Sequence, residues 1–335
     1  MRRTLLGGVI AVILASGSVS AGGADLAPLK KAYERPTTIP FPADNPYTIE
    51  KAALGKMLFF DARLSRDNNI SCASCHNPSF GWQVPFAKAI GAGGKPLARK
   101  SPTTINHAWG GLFFWDGRAA SLEEQARGPI QAAVEMDLPL PKAVQRLNQI
   151  EGYREAFSKA FPGEGITEQT ILKAIATFER TTVTGDTPFD RWVRGDDKAL
   201  SAAAQRGFAL FNGKARCSTC HSGWNFTDDR FHDIGLATTD QGRATISGRP
   251  EDRYGFRTPG LREITARAPY MHNGSLPTLE AVVAHYASGG IERPSRSRLM
   301  VPLGLTGEEM QDLVEFMHAL SSPGVTVALP NLPAR

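Results

Sequence analysis

The chain has 335 residues, of which 41% are hydrophobic and 21% charged, and its formal net charge is +5. That length predicts two domains, and so mild a basic excess excludes the basic stripe of a nucleic-acid binder while leaving room for an acidic protein partner. At the N-terminus Arg2 and Arg3 precede an apolar run, Leu5 to Leu14, followed by the small residues Val19-Ser20-Ala21. Residues 1–21 therefore read as a cleaved secretory signal peptide, with the mature protein in the periplasm. The run is too short to span a bilayer and no later one approaches about 20 residues, so no membrane span is expected. Removing the signal takes away two arginines and no acids, leaving 36 − 33 = +3 over 335 − 21 = 314 residues.

Along the mature chain the first element is a helical stretch, Gly55-Lys-Met-Leu58-Phe59, which leads to Cys72-Ala-Ser-Cys75-His76. A loop rich in glycine, Gly91 to Pro96, comes next, then Phe113-Phe114-Trp115-Asp116-Gly117-Arg118, Leu122-Glu-Glu-Gln125, and Pro129 to Met136. Ile171, Ile175 and Phe178 repeat at helical spacing and close the first half. Turn formers and charge between Gly185 and Ala199 mark the join, which divides the chain into 22–185 and 186–335. The second half repeats the plan. Gly207-Phe-Ala-Leu210-Phe211 precedes Cys217-Ser-Thr-Cys220-His221, and Leu313, Phe316, Met317 and Leu320 form a closing helix behind the capping box Thr306-Gly-Glu-Glu309. Strand-like alternation is scarce. The expected fold is all-α, with two cytochrome c-like domains and long loops.

All four cysteines lie in the two C-x-x-C-H pentapeptides, the attachment signature of c-type haem. The thiols add across the haem vinyl groups, and the adjacent histidine binds iron. A zinc site needs no histidine after both pairs, a thioredoxin-like pair would not occur twice in this way, and no cysteine is left over for a disulfide framework. Two covalent haems c are predicted, held by Cys72, Cys75 and His76 and by Cys217, Cys220 and His221.

Both pentapeptides, the FWDGR stretch, Gln125 and Glu135 ten residues apart, and Ala268-Pro269-Tyr270-Met271-His272-Asn273-Gly274 together resemble the bacterial di-haem cytochrome c peroxidase and MauG superfamily. The resemblance runs from about Leu54 to Leu320. It implies that Trp115 lies between the haems and conducts electrons, while Gln125 and Glu135 overhang the first iron with Pro129 in the same pocket. Peroxide must lose a proton from one oxygen and gain one at the other before the O–O bond breaks, and Glu135 suits a general base that becomes the acid. Counting nineteen residues from Arg267 reaches Tyr286, where other members place a methionine ligand to the second iron. Leu279, Val282, Val283 and Tyr286 share one face of a helix capped by Thr278, so Tyr286 points inward and His285 does not.

Tyrosine at that position resembles the MauG branch, whose members are thought to share two oxidising equivalents between the haems as a bis-Fe(IV) state. They use it to oxidise tryptophan on a partner protein, such as a methylamine dehydrogenase precursor. The resemblance also implies a calcium ion between the domains, held by the Asn106 side chain and the carbonyls of Arg267 and Pro269, a donor type that suits calcium. Two departures stand out. The stretch Ala89 to Pro96 contains no distal histidine, which predicts a first haem open to peroxide without reductive activation. The position two before Cys217 is Ala215, not a tryptophan, which leaves Trp192 or Trp224 as the exit for charge. The alternative function is a peroxide scavenger reduced by a small cytochrome or copper protein; a further one is a di-haem electron carrier without catalysis.

Overall fold

The computed structural model describes residues 26–324 and 327–334; the expected signal peptide lies outside the described residues. The helices run in chain order as α1 (Ala27–Lys31), α2 (Ile49–Phe60), α3 (Cys72–Cys75), α4 (Leu122–Gln131), α5 (Leu140–Asn148) and α6 (Glu151–Ala160). They continue as α7 (Glu168–Thr181), α8 (Pro188–Val193), α9 (Ala202–Asn212), α10 (Ala244–Ser247), α11 (Leu279–Ser288) and α12 (Gly307–His318). A two-residue antiparallel ribbon pairs β1 (Phe231–His232) with β2 (Phe256–Arg257). Among the described residues no helix is long and apolar enough to cross a membrane.

Each half is organised by one crossing of two helices, and a glycine sets how close they come. A Cβ added at Gly55 of α2 would lie 1.9 Å from the carbonyl oxygen of Ala174 in α7 and 2.9 Å from Phe178 Cβ. At Gly207 of α9 it would lie 2.0 Å from the carbonyl oxygen of Asp312 in α12 and 2.8 Å from Phe316 Cβ. Only glycine lets the backbones touch there. The helices also start alike. Thr48 and Ser201 accept a backbone N–H at the starts of α2 and α9, and capping boxes at Thr167 and Thr306 open α7 and α12.

Two apolar cores follow from these crossings. One gathers Leu54, Leu58 and Phe59 with Ile171, Ile175 and Phe178, and the other gathers Phe208 and Phe211 with Leu313, Phe316 and Leu320. The halves trade their ends. Tyr33 packs into the second core against Phe189, Phe208 and Phe226, and its hydroxyl donates to Asn212 at 2.7 Å. In return Val327 rests on the first core, and the Pro333 carbonyl accepts from Arg63 at 3.1 Å.

Candidate functional site: two cysteine-histidine motifs across a domain seam

Cys72–Cys75 forms one helical turn closed by a Ser71/Ser74 capping box, and the next residue presents the His76 ring. His76 Nδ1 lies 3.3 Å from the Trp82 carbonyl oxygen, and His221 Nδ1 lies 2.9 Å from that of Phe226. A carbonyl can only accept, so Nδ1 carries the proton and Nε2 is left bare for a metal. Trp82 and Phe226 both adopt positive φ, 59° and 56°, so the same tight turn aims the carbonyl in each half. None of the four cysteines is joined to another in a disulfide.

The second motif opens onto an apolar cavity lined by Cys217, Cys220, His221, Val283, Tyr286 and Met271 among others. Paired thiols, a bare imidazole nitrogen and an apolar hollow fit a covalently attached haem. Tyr286 projects from α11 into this hollow, and among the described residues its hydroxyl has no hydrogen-bond partner. Burial pushes its phenol pKa up, with the nearby cysteines adding to the effect. His285, one residue earlier, is turned aside, its Nε2 3.0 Å from the Ile234 carbonyl oxygen. Beside Cys220, His232 Nε2 is bonded to Asp228 at 2.8 Å.

Around the first motif, Gln125 and Pro129 lie four residues apart on α4, so they share one of its faces. Pro129 sits inside the helix without breaking it. The chain then turns back so that Met136 N–H donates to the Pro129 carbonyl and Leu138 N–H to that of Ile130. This turn carries Glu135, whose charge reaches both Cys72 and Cys75. Burial raises the Glu135 pKa, against the opposing pull of Arg118. The loop from Ala89 to Gly94 lies on this turn: Ala92 N–H donates to the Glu135 carbonyl, and a Cβ on Gly91 would strike the Val134 oxygen at 1.9 Å. That loop brings no titratable side chain. His107 lies elsewhere, within charge range of His76, Arg257 and Arg267 and packed edge-on to Phe113.

Sequence reasoning quoted Arg118 within FWDGR but gave it no role. Its guanidinium stacks on Phe114 at 3.4 Å and pairs with buried Asp116 at 3.0 Å, and its charge acts on Glu135. Glu179 was also missed. It is 5% exposed, Oε2 has no hydrogen-bond partner among the described residues, and its charge acts on Cys72. Helical periodicity could have flagged it as an acid on the buried face of α7.

Trp115 lines both the second cavity and a smaller one at the domain seam. Its Nε1 donates to the Lys100 carbonyl at 2.8 Å, and its own carbonyl accepts from Arg257 N–H at 2.8 Å. Trp192, one of the two candidate exits, is only 2% exposed in the second core; it is not a surface residue. Trp224 is partly exposed and meets Trp109 of the other half edge-on at 4.7 Å.

The calcium expectation does not survive the seam. The Asn106 side-chain oxygen accepts from Thr184 N–H at 3.1 Å, and its amide donates to Thr184 Oγ1 and Asn225 Oδ1. With the Gln83 amide oriented to satisfy its neighbours, its nitrogen donates to the Arg267 carbonyl at 3.1 Å. The seam cavity is lined by Asn106 and Arg267 but not by Pro269, and Asp229, the carboxylate that lines it, is paired with Arg257. With the Asn106 and Arg267 oxygens already hydrogen-bonded, that carboxylate taken and the Arg267 side chain unpaired, this donor set does not fit a divalent ion.

These features agree with the comparisons. The family described as di-haem cytochrome c peroxidase matches residues 49–198, and a RoxA-like cytochrome c family matches 255–287. "Methylamine utilization protein MauG" of Methylorubrum extorquens is 49% identical over 98% of this chain and 95% of its own. The protein of the same name from Methylophilus methylotrophus is 45% identical over 94% of this chain and 95% of its own. A crystal structure of a MauG-like protein associated with microbial copper homeostasis superposes with a TM-score of 0.80 at 32% identity, covering 86% of this chain and 95% of that one. The chain belongs to the di-haem cytochrome c peroxidase family of oxidoreductases, with cytochrome c-like domains and haem c as the family cofactor. Within that family it is a MauG-like member.

Proposed function

We propose that the chain is a periplasmic enzyme with one haem c at each C-x-x-C-H, which uses hydrogen peroxide to oxidise tryptophan side chains of a partner protein, as in maturation of a methylamine dehydrogenase precursor. The observation that carries this reading is Tyr286. A phenol without a protein partner faces the same hollow as His221 and both cysteines of the second motif. An oxygen ligand there disfavours the reduced metal, whereas a thioether would favour it.

Haem, when attached, supplies the peroxide-reactive iron and the store of oxidising charge. The residues supply the rest. The carbonyls of Trp82 and Phe226 hold the imidazoles by Nδ1 and aim Nε2. Glu135, its pKa raised by burial, takes a proton from one peroxide oxygen and returns it to the other, so that water leaves. Arg118 keeps that carboxyl ionisable, and the Gln125 amide orients the peroxide. Trp115, fixed by bonds from both halves, joins the two sites.

Stoichiometric peroxide added to the oxidised, haem-loaded protein tests the reading. The expected result is a long-lived near-infrared absorption band in the wild type that is lost in Tyr286→Phe. Rapid turnover with reduced cytochrome c and no such band would instead establish the scavenger. Met271, which lines the same cavity, is the observation that favours this second reading, because it puts a thioether within the same hollow.

A further inference from the structure

Arg267 is 3% exposed and makes no ion pair among the described residues. Its Nε donates to the Glu263 carbonyl at 3.2 Å and its Nη2 to the Gly260 carbonyl at 2.8 Å, so it is held by neutral oxygens of its own half. Its aliphatic stem crosses to the other half, where a Cβ on Gly81 would lie 2.6 Å from Arg267 Cγ. Gly81 precedes Trp82, whose carbonyl orients His76. Arg267 therefore plugs the second half into the turn that aims the first histidine.

Around it Asp190 is shared by Arg35 and Arg262, and Asp229 pairs with Arg257, whereas Arg267 and Lys100 have no ion-pair partner among the described residues. Lys100 is 2% exposed, and its Nζ donates to the carbonyls of Val84 and Phe86. Arg262 Nη2 has no partner among the described residues. Buried cations without matched anions are costly, and a dication added to them costs more.

We propose that Arg267 is the resident cation of the domain seam, so that this chain holds its two halves in register with a guanidinium and needs no calcium. Arg267 acts as a positioning residue: it touches the turn that sets His76, not the reacting atoms.

The haem-loaded full chain tests this directly. Elemental analysis after desalting should find calcium well below one ion per chain. The visible spectrum and Tm should be unchanged by a calcium chelator or by added calcium chloride. Arg267→Gln should lower Tm and alter the spectrum of the haem at His76, while Arg267→Lys, which keeps the charge, should restore both. One tightly held calcium per chain, or a chelator-induced loss reversed by calcium, overturns the proposal without any variant being made. So does an Arg267→Gln protein indistinguishable from wild type, or an Arg267→Lys protein as impaired as Arg267→Gln.

Discussion

Glu179→Gln isolates the cost of one buried acid. Burial is the main cause that pushes the Glu179 pKa from 4.5 up to about 8; Arg180 pulls it down and Glu123 pushes it further up. The folded protein then binds a proton more tightly than the unfolded chain between those two values. Stability contributed by this group is present below pH 4.5 and falls as pH rises, levelling off above about 8. At about 1.36 kcal/mol per pH unit, the gap of 8 − 4.5 is worth at most about 5 kcal/mol. Glutamine has nearly the shape of the neutral acid and no proton to lose. Chemical denaturation of haem-loaded wild type and variant, from about pH 5 to about pH 9, should show the variant gaining on wild type by about 1.4 kcal/mol per unit until the difference flattens. Titrating groups that do not act on Glu179 are common to both proteins and cancel in the difference. A difference that stays constant with pH, or that moves in favour of wild type, refutes the reasoning.

Gly207→Ala places a methyl 2.0 Å from the Asp312 oxygen, which α9 and α12 can relieve only by moving apart; Gly55→Ala does the same at 1.9 Å from Ala174. Each should cost about 3 kcal/mol or more by thermal melting, beyond the usual 1–3 kcal/mol of overpacking because the obstacle is backbone. Glu135→Gln should slow the reaction with peroxide by about 10²- to 10⁴-fold in stopped flow. Since Arg118 pulls the Glu135 pKa down, Arg118→Gln should shift the acid limb of the rate profile to higher pH.

How far the site could be read in advance depends on the range of the interaction. The C-x-x-C-H motifs, the capping box at Thr306 and the inward face of Tyr286 are set within about two helical turns; the structure forms the capping box and places Tyr286 on the wall of the second cavity. Gly55 and Gly207 were legible as an echo between the halves. Their steric reason was not, because it depends on Ala174 and Asp312 more than a hundred residues away. Ion pairs were the least visible. Arg99 joins Asp116 of the first half to Asp240 of the second, both at 2.6 Å, and no spacing in the sequence announces such a partner. The calcium expectation suffered likewise, since the partners of Asn106 and the burial of Arg267 are visible only once both halves are in place.

The turn that carries Trp115 is fastened to both halves. Lys100 accepts from its ring, Arg257 donates to its carbonyl, and Arg243 donates to the carbonyls of Asp116 and Gly117. A hinge motion at this seam would have to break all of these bonds together with the Arg99 bridge. Any charge that crosses here does so by tunnelling over a fixed distance, at a rate set by driving force and reorganisation energy. With these bonds intact the crossing needs no domain motion, so it should persist in a frozen glass, where domain motions stop.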